Sequence, residues 1–279
     1  MKREDLRLGE NMTIQQATEE KYGVNSAMPV GVFDSGVGGI SVLREMTGLL
    51  PGEDFLFYGD SDNAPYGTKE AREIQALTLE ASRHMRREGI KALVIACNTA
   101  TSAAITLLRE TFTDIPVIGI EPALKPAVRL KSAPRVLVMA TPGTVSGDKY
   151  LHLKHQYDGE ADVISLACPG LMEYVERGEL SSPSLDAYLE ELLSPFKGQV
   201  DDIVLGCTHY PFVKSAIRKV MGEDIPILDG SLGTAKQLKR QLGAAGLLKE
   251  SESGGTVRFE GGVAAKEELC RKLLFHPQL

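Results

Sequence analysis

"VIACNTAT", residues 94–101, runs an apolar stretch straight into Cys97, Asn98 and Thr99, and "IVLGCTHYP", residues 203–211, does the same around Cys207. A short β-branched run that stops at small polar residues before a helix-period segment is how a buried strand of a parallel sheet hands over to its following helix. Working outward from these two points, short apolar runs alternate with helical segments along most of the chain. In the first half the strand candidates are residues 30–33, 55–58, 92–96 and 116–120; in the second half they are 135–140, 162–167, 202–206 and 226–229. Ile74, Leu77, Ala81 and Met85 share one helix face that Gly89 can close, and Leu185, Tyr188, Leu189, Leu192, Leu193 and Phe196 share another. This alternation predicts right-handed βαβ units and mostly parallel sheets, an α/β fold.

The two halves repeat. Eighteen residues separate Cys97 from the "IPV" at Ile115, and eighteen separate Cys207 from the "IPI" at Ile225. We therefore expect two similar α/β domains related by a pseudo-two-fold axis, residues 29–125 and 126–235, with the site in the cleft between them. Residues 236–279 should pack back on the core as a helix after the linker "SESGG", and residues 1–28 form a charged extension able to bury little surface. A short helix over 13–22 is conceivable there, and residues 1–27 are expected to be dispensable for the chemistry.

Composition narrows the function. The 279 residues carry a net charge of −7, with 43% hydrophobic and 25% charged residues, and no long basic cluster that would hold nucleic acid or an anionic membrane. No run approaches a membrane span and the first 27 residues lack a signal-peptide core, so a cytoplasmic protein is expected. Four scattered cysteines (97, 168, 207, 270) offer no zinc or redox pair and read as reduced thiols.

In open parallel sheets, ligands bind beyond the carboxyl ends of the strands. Cys97 and Cys207 both occupy that edge, each before a predicted helix (residues 100–112 and 212–221) whose N-terminal dipole favours a thiolate. Asp34 and His209 are candidates to manage the proton of each thiol. Two such groups on opposite faces of a stereocentre make a two-base racemase that needs no cofactor and no metal. The hydroxyls of Ser35, Thr99, Thr144 and Thr208, with backbone amides, could hold the carbanion-like transition state. Cys168 and Cys270 read as core residues, and His152 and His155 as a solvated helix face. "DSGVGG" (34–39) matches neither nucleotide-binding glycine signature, though its turn could seat a carboxylate.

"GVFDSGVGGISVLRE" (31–45), "DNAPYGTK" (62–69), "VIACNTAT" and "VLGCTHYPFV" (204–213), taken in order, resemble the cofactor-independent glutamate racemases of the Asp/Glu racemase family. The resemblance implies catalytic Cys97 and Cys207 assisted by Asp34, His209 and, on a looser local match in "MEYVERG", Glu176. It implies substrate held by Asp34, Ser35, Pro65, Tyr66, Gly67, Asn98, Thr99, Thr141, Thr144, Thr208 and His209. It further implies a glutamate substrate, supply of D-glutamate to peptidoglycan and a homodimer. Some relatives carry an N-terminal extension that serves an activating cell-wall precursor; residues 1–27, which do not match it, are open to two readings, an idle tail or a segment that docks near the cleft and couples activity to such a precursor. Three other readings stay open: a racemase of aspartate or another acidic amino acid, a cysteine hydrolase or acyltransferase with Cys207 as nucleophile and His209 as base, and a non-enzymatic anion-binding module.

Overall fold

The structure, a computed structural model, describes residues 23–249 and 253–276. Its strands are β1 (Val30–Asp34), β2 (Phe55–Gly59), β3 (Ala92–Ile95), β4 (Val117–Gly119), β5 (Arg135–Ala140), β6 (Asp162–Ala167), β7 (Asp202–Leu205), β8 (Ile227–Asp229) and β9 (Val257–Glu260). They form two sheets, ordered β4-β3-β1-β2-β9 and β6-β5-β7-β8, and every pairing is parallel. Read from the opposite edge, the second sheet runs β8-β7-β5-β6, the order of β4-β3-β1-β2 in the first. The repeat of sequence is thus a repeat of structure. Cys97 and Cys207 follow equivalent strands, β3 and β7.

Helices α1 (Ile40–Leu49), α2 (Ala71–Arg87), α3 (Asn98–Thr111), α4 (Asp148–His155), α5 (Leu171–Glu176), α6 (Pro183–Leu193), α7 (Lys214–Met221), α8 (Ser231–Ala244) and α9 (Glu267–Leu274) connect and cover the sheets. The central strands β1, β3 and β7 are buried at every position, because helices lie on both faces and leave no side for polar residues. In β5 the alternation works between two cores: Leu137 and Met139 join the main cluster, while Val136 and Val138 pack with Leu124, Tyr150 and Val204 on the other face.

Three expectations change. The segment 236–279 does not simply return as a helix: β9 adds a fifth strand to the first sheet beside β2. The boundary at 235 falls inside α8, which packs against α1 of the first lobe. Residues 23–28 are part of that lobe, not an extension to it, since Val24 is fully buried and Met28 packs against the core. The expected helix at 13–22 lies outside the described residues.

A buried ion pair ties these returning pieces together. Lys91, wholly inaccessible, places Nζ 2.5 Å from a Glu53 carboxylate oxygen and donates to the Ser26 carbonyl at 2.5 Å. Glu53 also accepts from the Lys249 amide at 2.8 Å. Burial pushes the Lys91 pKa down, and Glu53 opposes that shift. Losing either partner would strand a charge in the core.

The lobes are joined by two crossings, after β4 and after β8, and these touch: a side chain at Gly230 would fall 2.2 Å from the Glu121 carbonyl oxygen. Among the described residues no helix is long and apolar enough to cross a membrane, and no group of three His, Cys, Asp or Glu is arranged to hold a metal ion.

Candidate active site

Both cysteines line one small cavity between the lobes. Its walls are Ser35, Tyr66, Gly67, Cys97, Asn98 and Thr99 from the first lobe and Thr141, Met172, Cys207, Thr208 and His209 from the second. Cys97 is the N-cap of α3, its sulfur accepting from the Ala100 amide at 3.4 Å, and Ser35 Oγ lies 3.3 Å from the same sulfur. Burial, followed by the charge of Asp34, pushes the Cys97 thiol up to about 12.

Cys207 is set differently. The helix expected from residue 212 begins at Lys214, because the Pro-containing turn Tyr210–Val213 is a 3₁₀ segment that separates it from the sulfur. No helix N-terminus therefore caps Cys207. Its neighbour is His209, whose Nδ1 is 3.6 Å from Sγ. The other ring nitrogen, Nε2, lies 2.8 Å from Glu176 Oε1. Burial disfavours the imidazolium, but contacts with Cys207 and Glu176 outweigh it and hold the His209 pKa well above its usual value. A ring protonated at both nitrogens donates toward the sulfur and toward the carboxylate.

Glu176 is anchored across the cleft. Besides His209, it accepts from the Val37 amide at 2.8 Å and from Lys266 Nζ at 2.7 Å. Burial alone would raise its pKa; the His209 and Lys266 contacts win and bring it down to about 2. The glycines of "DSGVGG" make this possible. A side chain at Gly36 would sit 2.1 Å from Glu176 Oε1, and one at Gly38 would sit 2.3 Å from His209 Nδ1. The turn is bare so that the second lobe's acid and base can enter it.

Asp34 is fully buried behind this turn and accepts from the Gly36 amide at 2.9 Å and the Thr208 hydroxyl at 3.0 Å. Ser35, rather than Asp34, touches the Cys97 sulfur, while the Asp34 carboxylate bridges the lobes through Thr208. Across the cavity, the hydroxyls of Thr99, Thr141 and Thr144 form a triangle with sides of 3.0, 3.0 and 3.1 Å. Gly67 backs onto Thr141, where an added side chain would come within 2.9 Å of Thr141 Cβ. Asn98 is buried and its carboxamide oxygen has no partner among the described residues, an acceptor free for a cation or N–H group. Pro65 does not line the cavity; it leads into the Tyr66–Thr68 turn that presents Tyr66.

Sequence reading missed Asp60, Met172 and Lys266. Asp60 follows β2 and receives the Tyr66 hydroxyl at 2.6 Å and the Asn63 amide at 2.9 Å, which fixes the "APYGT" loop. Its place just beyond a strand's carboxyl end was a usable signal. Met172 and Lys266 carried none. Cys168 and Cys270 are buried; Cys168 points its thiol at the Leu166 carbonyl, 3.5 Å away.

The Asp/Glu/Hydantoin racemase family model matches residues 36–238. The chain belongs to that family. Glutamate racemase of Clostridium novyi is 51% identical over 245 residues, spanning 88% of this chain and 95% of that protein. The crystal structure of glutamate racemase isoform RacE1 from Bacillus anthracis, 34% identical, superposes with a TM-score of 0.81 over 90% of this chain and 95% of its own. Escherichia coli glutamate racemase, solved with L-glutamate and the activator UDP-MurNAc-Ala, is 28% identical with a TM-score of 0.76, covering 87% and 92% of the two chains. The family membership makes the protein an enzyme of the racemase class.

Proposed function

We propose that the protein interconverts L- and D-glutamate by a two-base reaction on Cys97 and Cys207, with no cofactor. The observation that carries this reading is one enclosed cavity walled by a buried cysteine from each of two equivalent lobes. One sulfur takes the α-proton as thiolate while the thiol opposite delivers a proton to the other face, so the configuration inverts and the protonation states of the two cysteines exchange. Cys97, with its pKa pushed to about 12, is a thiol at neutral pH and enters as donor; the substrate ammonium is the nearby positive charge that would ease its turn as base. The protonated His209 ring, steadied by Glu176, serves the proton traffic of Cys207.

Amides and hydroxyls converging on the cavity, including those of Ser35, Thr99 and Thr208, are placed to receive the substrate carboxylates and the developing enolate charge. Glutamate is favoured over other acidic substrates by the likeness to the curated racemases. The D-glutamate so formed would feed peptidoglycan synthesis.

A second reading has one observation in its favour: Cys207, His209 and Glu176 stand in the order of a nucleophile, base and orienting acid. It leaves Cys97 idle. Incubating the protein with L-glutamate in metal-free buffer without pyridoxal phosphate or ATP, and following optical activity to zero, tests the first reading. No loss of optical activity, or a covalent thioester on Cys207 with an ester substrate, would transfer support to the second.

A further inference from the structure

Glu176 belongs to the second lobe, yet two of its three hydrogen-bond partners come from elsewhere. Oε1 accepts from His209 and from the Val37 amide of the first lobe, while Oε2 accepts from Lys266. Lys266 ends the 3₁₀ turn Gly261–Lys266, which continues directly from β9 and so is carried by the first sheet. That turn is firmly seated. Val263 is fully buried and fills the space a side chain at Gly59 would need, at 2.3 Å. Beyond it, Leu269 of α9 lies against Gly178, just past the end of α5. The lysine is delivered to Glu176 by a packed piece of structure, not by a free surface side chain.

We propose that Lys266 is a positioning residue for the Cys207 half of the site, acting through Glu176 and His209; the inference rests on the two-base reaction proposed above. A carboxylate with one oxygen unpartnered can turn or take a proton, and in either case its hold on the His209 ring weakens. Lys266 neutralises the outer oxygen and fixes the inner one toward the ring. The line Lys266, Glu176, His209, Cys207 therefore ends on one sulfur only. Cys97, supported by Ser35 and the Ala100 amide, lies off it. Because Lys266 and Val37 ride on the first lobe and Glu176 and His209 on the second, the line is complete only while the cleft is closed.

The test uses Lys266→Met, Lys266→Arg, Glu176→Gln and the Lys266→Met/Glu176→Gln pair in the full chain. Enantiomers are equal in free energy, so any loss in kcat/KM must be the same in both directions; the asymmetry of the site shows instead in isotope effects. Lys266→Met should lower kcat/KM about tenfold and raise the primary effect of α-deuterated glutamate for one enantiomer only, with Lys266→Arg within about threefold of the unaltered protein. In the Glu176→Gln background, adding Lys266→Met should cost no more than about twofold. Additive losses in the pair, isotope effects that move equally for both enantiomers, or a Lys266→Met variant as active as the unaltered protein would overturn the role of Lys266. So would a lowered melting temperature shared by Lys266→Met and Lys266→Arg. Failure of the unaltered protein to racemise glutamate would overturn the proposed reaction itself, a different result from any of these.

Discussion

Asp34 shows how far single residues are pulled from their solution behaviour to build this cleft. It sits wholly inaccessible at the end of β1, and burial pushes its pKa up to about 6 against the opposing pull of His209, the Gly36 amide and the Thr208 hydroxyl. A carboxyl whose pKa is raised on folding favours the native state below its unfolded value, near 3.8, and that contribution is lost as pH rises through 6. Glu176 has the opposite sign: with its pKa brought from 4.5 to about 2, its contribution is present above 4.5 and is lost as pH falls toward 2. Asp34→Asn should therefore stabilise the protein at pH 7 by about 1–3 kcal/mol, a gain that shrinks toward zero at pH 4, while racemisation is lost. Denaturant unfolding at the two pH values, with activity measured alongside, checks this; a variant less stable at pH 7 contradicts it. Cys97 and Cys207 were legible because they stand just beyond strands in repeated wording, and Asp34 and His209 because they sit at the same carboxyl edge. Met172 and Lys266 were not, because an apolar helix residue and a lysine in a glycine-rich turn look the same whether or not they face a site.

At the scale of elements, β1 to β8 were readable since each is a compact apolar run between turn residues. β9 was not: "VRFE" is four residues at a sheet edge, half-exposed and bearing two charges, so its strand character comes from pairing with β2. The same holds at the other end of the lobe. A charged, apolar-poor segment reads as a tail, yet Val24 fills the core and Ser26 caps Lys91, contacts that no local pattern announces. Starting the chain at Met28 removes both and leaves the buried ammonium short of an acceptor. We expect that truncation to lower the melting temperature by several degrees, and Val24→Ala alone to cost about 1–3 kcal/mol, with racemisation at low temperature retained in both. Differential scanning calorimetry reads the first and denaturant titration the second. An unchanged melting temperature after truncation would show that residues 23–27 carry no stabilising contact.

For the molecule as a whole, the decisive quantity is the size of the cavity. It measures about 10 Å³, room for roughly one water and far too little for an amino acid. At the site the closed arrangement is held by polar cross-lobe contacts, among them Val37 and Lys266 to Glu176, Ser41 to the Thr208 carbonyl, Thr208 to Asp34, and the hydroxyl triangle of Thr99 with Thr141 and Thr144. On the proposed reaction, a substrate of amino-acid size requires the lobes to part, and the two crossings that touch at Glu121 and Gly230 are where such a motion would pivot. The Val37 amide, bonded only across the cleft, should then exchange with solvent faster than the amides of β1 a few residues earlier, and glutamate should slow it. Equal exchange at the two places, unaffected by glutamate, would mean that the cleft does not open. The central claim is that two different sulfurs handle the proton on the two faces of one carbon, and racemisation in deuterated water tests it most directly. From either enantiomer, early product should carry deuterium at Cα while the remaining substrate stays protiated, because the donor thiol has exchanged with solvent and is not the group that took the proton. Product that keeps the substrate's own hydrogen would contradict the account, since a single base would then have returned the proton it removed.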